Sequence, residues 1–460
     1  MSDTAERIRQ IEEKLAALPT GYISKKTISG KERFYLQWME NGKLKSRYIK
    51  SGEFEEIAAQ VDLRKQLQSE LKALKESPEG IQEMARKRKA VRSMIQITGT
   101  LMSEDKEIAT VKNGVIVACN EALLPLYLKR TKHMEGWLAA RAIDAHRTNS
   151  RLLKKALRLR TSDNAQTALA VNAATVTDRY WFRPEGSTAR YEDIRFKENY
   201  FDMLALRGDP DSFSHKPSRT PELTNTGSYE KCWKLIDGVW WMIKNENQNE
   251  MFSELFICKL GEKLGQDMAH YELYDGYIRS RDFTSGLNVH FEPISALMDD
   301  NEDYSDCFDA IYAISPLFAL QYLRIVWMDT ICYNMDRHTE NFGFLRDVHT
   351  GKITSMAPNY DNNIALISRG YPASTDRTHD GLVRFFREFL QSNATAKDLY
   401  QHMTLPVITE NMIDECLAEI PIEVDRTFIR DFILNGQKVV QEIIGAGVTE
   451  DESESFDLMM

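Results

Sequence analysis

The sequence predicts an α+β fold in two lobes, preceded by a helical hairpin that carries a small β-sheet. Three patterns point to it. Apolar residues recur at helical spacing on both sides of an alternating, turn-broken stretch at 21–50. Alternating runs return between 94 and 119 and again from Cys232, broken at Asn113-Gly114 and Asp237-Gly238. Beyond residue 286 helical periodicity dominates, interrupted by one polar stretch, "NMDRHTENFGF", at 334–344.

Taken in order, Ile8, Ile11, Leu15 and Leu18 form one stripe of a first helix that Pro19 and Gly21 end. Strand patterns follow, with turns at Ser29-Gly30 and Asn41-Gly42. Ile57, Val61, Leu67, Leu71 and Leu74 line a second helix, so 1–92 reads as a helical, coiled-coil-like arm with a three-stranded tip. The tip at 21–50 carries Lys25, Lys26, Lys31, Arg33, Lys43, Lys45, Arg47 and Lys50 against Glu32 and Glu40, with Tyr22, Tyr35, Trp38 and Tyr48 among them. Two readings stand: an arm for homo-oligomerisation or partner docking through its helices, or a nucleic-acid surface on the basic strands. Residues 93–215 read as an α+β subdomain in which "DRYWFRPEGS" (178–187) is an ordered connector. Residues 216–285 form a β-rich lobe, 286–446 a helical lobe, and 447–460 an acidic disordered tail.

Composition narrows the class. A chain of 460 residues with 42% apolar content has room for several cores. A net charge of −10 argues against a protein coated in nucleic acid along its length. No apolar run approaches the ~18–20 residues that cross a bilayer, and "MSDTAERIRQIEEKL" lacks the apolar core of a signal peptide. The six cysteines are scattered without metal-ligand spacing. The expectation is a reduced, cytoplasmic protein with no membrane partner.

Three stretches carry chemistry. The small polar loop Thr224-Asn225-Thr226-Gly227-Ser228 precedes a hairpin and can turn backbone N–H groups toward phosphate. Lys244 closes that hairpin, and Glu254, close to the apolar face of the next helix, is a carboxylate whose obvious partner is Lys244, since strand and helix are adjacent in sequence. Ser315-Pro316 starts a long apolar helix, and the polar residues begin where it ends. A second hairpin turning near Thr350-Gly351 brings its ends, Asn341 and Asp361, together. Two such oxygen ligands suit Mg²⁺, which completes its shell with phosphate and water. Asp336, five residues before Asn341, is free to take a proton from a hydroxyl, the D-x-x-x-x-N spacing of a kinase catalytic loop.

With those residues assembled, the chain resembles the HipA family of bacterial serine/threonine kinases, toxins of toxin–antitoxin modules. "NMDRHTENFG" and "APNYDNN" look like that family's catalytic and metal-binding motifs, and "TGSYEKCWKL" like its phosphate loop and first strand. The resemblance runs from about 95 to 445. It implies a protein-kinase-like fold that uses ATP and Mg²⁺, phosphorylates a protein Ser or Thr, restrains growth or translation, and has an antitoxin partner. It implies Asp336 as catalytic base with Lys244 and Glu254, Asn341 and Asp361 on Mg²⁺, and Gly227, Ser228, Lys231 and Lys244 at the nucleotide. The nucleotide hinge falls near 277–283. Thr224, Thr226 and Ser228 become candidates for autophosphorylation. The loop lacks the G-x-G-x-x-G pattern, and 1–92 has no counterpart in the family's familiar members. Two rival readings are an aminoglycoside-phosphotransferase-like small-molecule kinase and an inactive kinase fold that binds nucleic acid or a partner through its arm.

Overall fold

In the computed structural model the described residues are 7, 10, 11, 14, 15, 18–28, 31–40, 43–50, 52–76, 97–161 and 163–454, with side chains in the last segment described to Ile443. The chain divides into two compact units, Met1–Gln96 and Ile97–Met460.

In the first unit, β1 (Tyr22–Ile28), β2 (Lys31–Glu40) and β3 (Lys43–Ile49) form an antiparallel sheet in sequence order. The register closes at Ile28↔Lys31 and Glu40↔Lys43; the turn dipeptides Ser29-Gly30 and Asn41-Gly42 lie outside the described residues. One face of the sheet packs on α1 (Phe54–Glu76) through Leu36, Ile49, Ile57 and Val61. Ahead of β1, the described positions from Arg7 to Leu15 are helical and Ile11 is fully buried. Arg7 pairs with Glu70 at 2.7 Å, and the Arg64 guanidinium donates to the carbonyls of Leu15 and Leu18 at 2.6 and 2.9 Å. This places the first helical stretch alongside α1. Ile8 of the expected stripe and the boundary near residue 92 fall outside the described residues.

The second unit begins with β4 (Gly99–Ser103), β5 (Lys106–Lys112) and β6 (Val115–Cys119). Asn113 and Gly114 between the last two both have positive φ, 49° and 78°, as a two-residue hairpin turn of the primed type requires. Short helical turns follow. The stretch 178–187 is not a connector: Tyr180–Pro184 forms β7, paired with β4 to complete a sheet ordered β6-β5-β4-β7. Tyr180, Trp181 and Phe182 are all buried, so the strand shows no alternation to read.

Next come β8 (Lys231–Ile236), β9 (Val239–Lys244), α2 (Gln248–Lys263), β10 (Tyr271–Tyr274) and β11 (Tyr277–Arg281). The sheet order β10-β11-β9-β8 makes β9 central. Asn247 caps α2, accepting from the backbone of Asn249 and Glu250. The remainder is helical around a small sheet: β12 (Val289–Pro293), α3 (Tyr304–Ile314), α4 (Pro316–Cys332), β13 (Gly343–Asp347), β14 (Ile353–Met356), then α5 (Gly381–Ser392), α6 (Ala394–His402), α7 (Glu410–Glu419) and α8 (Arg426–Glu454). Ser315 caps α4 with Pro316 at its first position, as the sequence signals. α4 is the hub, touching α3, α5, α6 and α8. Its Leu323 and Ile331 are fully buried, each contributing about 1.5–3 kcal/mol relative to exposure. The helical backbone of α8 runs to Glu454, into the stretch expected as a disordered tail; 455–460 lie outside the described residues. The architecture is mixed α+β, as the sequence predicts. Among the described residues no helix is long and apolar enough to cross a membrane.

Candidate active site

Lys244 ends the central strand β9, with Lys231 of β8 and Ile278 of β11 as its register partners. Its ammonium lies 3.0 Å from Glu254, 2.6 Å from Asp361 and 3.4 Å from Glu246, above the ring of Tyr271 at 5.5 Å. Burial disfavours this charge, yet Asp361 and Glu254 outweigh it and hold the ammonium well above its ordinary value. The Glu254 carboxylate is completely buried and takes two donors, Lys244 Nζ and the Asn362 amide at 2.7 Å. One ion pair therefore joins strand, helix and the loop after β14.

The expected second hairpin forms, its turn held by Asp347, which accepts from the Thr350 amide at 2.7 Å. Asn341 precedes β13 and Asp361 follows β14. Asp361 has φ 61°, a left-handed conformation that Asp tolerates better than most residues, and its amide donates to Tyr271 Oη at 3.0 Å. Burial raises the Asp361 carboxyl, but Lys244 and Lys231 prevail and hold it below the usual carboxylate range.

Asp336 sits between. Its backbone is tied at both ends: its amide donates to Asn334 Oδ1 at 3.1 Å, and its carbonyl accepts from Asn341 Nδ2 at 2.9 Å. Among the described residues its carboxylate accepts no hydrogen bond; His338 Nε2 is 4.0 Å away. Partial burial raises its pKa, with Asp361 adding to the effect and His338 opposing it.

All three acidic and amide groups share a cavity of about 690 Å³ with Lys231, Lys244 and the loop from Thr224 to Tyr229. The expected hinge contributes Ser280, Arg281, Asp282 and Phe283 to its wall. Gly227 has φ 93°, and a Cβ there would stand 2.6 Å from Lys231 Nζ, so the lysine head lies against the loop. Burial draws the Lys231 ammonium down to about 8, against the pull of Asp361. The three loop hydroxyls differ. Thr224 closes a short 3₁₀ turn and is buried, its hydroxyl donating to the Ala174 carbonyl at 2.6 Å. That geometry does not suit it as a phosphate acceptor. Thr226 and Ser228 are exposed.

Oxygen donors for a cation are present. The Asn341 amide nitrogen is committed to Asp336, which leaves its Oδ1 available, and Asp361 is engaged by Lys244 through Oδ1 alone. Among the described residues no three His, Cys, Asp or Glu side chains converge as a metal cage. A two-oxygen set of this kind fits Mg²⁺ that takes the rest of its shell from phosphate and water.

Several groups that build the site escape a reading of motifs. Arg337, beside Asp336, is buried and makes a two-pronged pair with Asp329 of α4 at 2.8 and 2.9 Å. The same guanidinium donates to the carbonyls of Asn341 and Tyr360, both at 2.7 Å, and to the amide oxygens of Asn359 and Asn362 at 2.9 and 2.6 Å. Glu246 faces Lys244 and accepts from Asn363 at 3.0 Å; burial raises its pKa against the pull of Lys244. Behind the loop, buried Arg147 donates to the Asn225 carbonyl at 3.1 Å, and Asn225 donates to buried Glu222 at 2.9 Å. The signals were an Asp inside an apolar helix and the paired Asn362-Asn363, neither tied to its partners by spacing.

A family model described as a domain of unknown function (DUF6788) matches residues 1–59. No curated protein matches the chain. Among solved structures, the chain is similar to a Helicobacter pylori proinflammatory kinase, CtkA, at 17% identity and TM-score 0.39, over 48% of this chain and 95% of that one. It is also similar to a chain in the Shewanella oneidensis MR-1 toxin–antitoxin complex of HipA, HipB and operator DNA, at 12% identity and TM-score 0.46, over 75% of this chain and 99% of that one. Likeness at these values carries nothing about activity.

Proposed function

We infer that the chain is an ATP-dependent kinase whose acceptor is a protein Ser or Thr hydroxyl. The observation that carries this reading is the Lys244 ammonium bonded to both Glu254 and Asp361, in one cavity with the Asp336–Asn341 loop. Phosphoryl transfer is catalysed by positioning and countercharge, and this arrangement supplies both. Bound Mg-ATP would provide the phosphoryl group and the metal's charge. Lys244, fixed by Glu254, and Lys231, against the loop, set positive charge where phosphates are held. Asn341 and Asp361 offer the metal its protein oxygens. Asp336 orients the acceptor hydroxyl and takes its proton, for which its carboxylate is left without a donor among the described residues. The test is incubation with Mg²⁺ and labelled ATP in a cytosolic extract, followed by phosphoamino-acid analysis. Label on protein Ser or Thr, absent with Asp336→Asn, supports the reading. Label confined to small molecules moves it to the small-molecule kinases.

Lys231 gives this site a proton signature. A pKa near 8 without phosphate must rise when phosphate binds, because the charged form is then favoured. ATP binding at about pH 8.5 should therefore take up a proton, and affinity should fall as pH climbs through 8. Calorimetry in two buffers of different ionisation heat measures the uptake, which Lys231→Gln should remove. Equal uptake by variant and parent would reassign the proton.

We further propose that Thr226 or Ser228 is the residue phosphorylated in cis. A phosphate there adds about −1.5 to −2 charges beside the nucleotide phosphates and repels them. Protein incubated with Mg-ATP should gain phosphate on the 221–231 peptide at Thr226 or Ser228, with Thr224 unmodified, and lose activity in step. Mass spectrometry reads the site; activity falling with the peptide unmodified ends the proposal.

A further inference from the structure

The first unit holds a surface that the kinase reading does not use. Successive residues of a strand face opposite sides. Ile23, Phe34, Leu36, Trp38 and Ile49 belong to the cluster packed on α1, so residues of the other parity form the second face. In the register, Ser24 pairs with Tyr35 and Tyr35 with Tyr48, while Tyr22 lies two positions along β1 from Ser24. The outer face thus carries a diagonal of three tyrosines. Tyr22 and Tyr48 remain 50% and 45% exposed, which is high for rings of that size. Tyr35 and Tyr48 meet edge to face at 5.5 Å, and the exposed Arg33 guanidinium stands 6.0 Å from the Tyr48 ring. Lys50, also exposed, follows β3 directly.

Tyrosines on a solvated sheet are ordinary strand formers, and one alone would mean nothing. Here they line up on one face with Arg33 and Lys50, in a segment with eight lysines and arginines against Glu32 and Glu40; Lys25, Lys45 and Arg47 have the parity of the other face. A protein-docking face has no need of that imbalance, whereas a polyanion with flat, stackable groups matches both features. We propose that the β1-β2-β3 face of Tyr22, Arg33, Tyr35 and Tyr48 binds single-stranded nucleic acid, with bases stacked on the tyrosines and the backbone drawn by Arg33 and Lys50. Duplexes keep their bases stacked on each other, so the rings discriminate against them.

The test uses the full chain and fluorescent oligo(dT) and oligo(U) of about 20 nucleotides, a length that covers a surface of this size, with a duplex as third arm. Anisotropy should show the single strands binding more tightly than the duplex, and weakening steeply with salt. The oligo(dT) and oligo(U) arms distinguish DNA from RNA. Tyr22→Ala with Tyr48→Ala should weaken binding at least about tenfold, since each stacked base is worth about 1–3 kcal/mol. Tyr22→Phe with Tyr48→Phe, which keeps the rings, should retain binding. Arg33→Gln should flatten the log–log salt dependence by about 0.7. These side chains are exposed, and an unchanged melting curve shows that the variants are folded. No binding at low salt, equal binding by the Ala variant, equal loss in the Phe variant, or equally tight duplex binding each overturns the proposal.

Discussion

Replacing Asp336 by Asn should lower the phosphoryl-transfer rate by about 10²–10⁴-fold, the usual contribution of a positioned base, while ATP affinity stays within about twofold. The asymmetry follows from the geometry. The Asp336 backbone is held by Asn334 and Asn341, and both contacts survive the substitution, so the loop keeps its shape. The carboxylate itself takes no hydrogen bond from the described residues, so an amide there leaves no donor stranded. Only the capacity to accept a proton goes. The rate of the parent should also fall as pH drops through the raised pKa of Asp336, because the protonated acid cannot serve as base. Rapid-quench measurement of the first turnover, with ATP titrated separately, distinguishes a lost base from a lost nucleotide site. A variant that keeps near-parental turnover would remove Asp336 from the mechanism.

Arg337→Met should be the most destabilising single change near the site, by about 3–5 kcal/mol. The side chain is of similar length, but Asp329 would keep its negative charge inside a helix where it is 3% exposed, with no cation left to pair with it. The carbonyls of Asn341 and Tyr360 would each lose a charged donor. Arg337→Lys should not rescue the protein, since a point charge cannot span acceptors that the planar fork reaches together. Removing both charges, Arg337→Met with Asp329→Leu, should recover part of the stability and none of the activity, because the loop ends would still be untied. Urea unfolding of the three variants beside the parent reads this order. A double variant no more stable than Arg337→Met alone would contradict the buried-charge account.

The contrast between these two residues shows what can be read from sequence. Lys244 ends a strand, and Asp336, Asn341 and Asp361 lie in the loops that flank the hairpin after α4, where alternation and helical spacing stop; Glu254, inside α2, is marked instead by its place beside an apolar face. That Lys244, Asp336, Asn341 and Asp361 share one cavity follows from two hairpins, each announced by its turn. Arg337 and Asp329 leave no such trace: their bond joins the interior of α4 to a loop, and no periodicity links the two. β7 is hidden in the sequence for a different reason. A strand buried on both faces loses its period-two signal, and Pro184 with Gly186 then reads as loop chemistry. The burial of Thr224 leaves no mark in the sequence, because a hydroxyl in a polar loop looks solvent-facing until the 3₁₀ turn folds it inward.

The three carboxylates gathered on Lys244 have a consequence for the order of events. Of these only Asp361, with Asp336 across from it, lines the cavity; Glu246 and Glu254 are buried behind Lys244, and burial favours their neutral forms. On the proposed reading, a free nucleotide would bring its own negative charge against Asp336 and Asp361, and a divalent cation between them would reverse the local sign. Metal and nucleotide should therefore be thermodynamically coupled: each raises the affinity for the other by the same factor. On that reading the site would act as a coincidence detector, filled best by the metal–nucleotide complex.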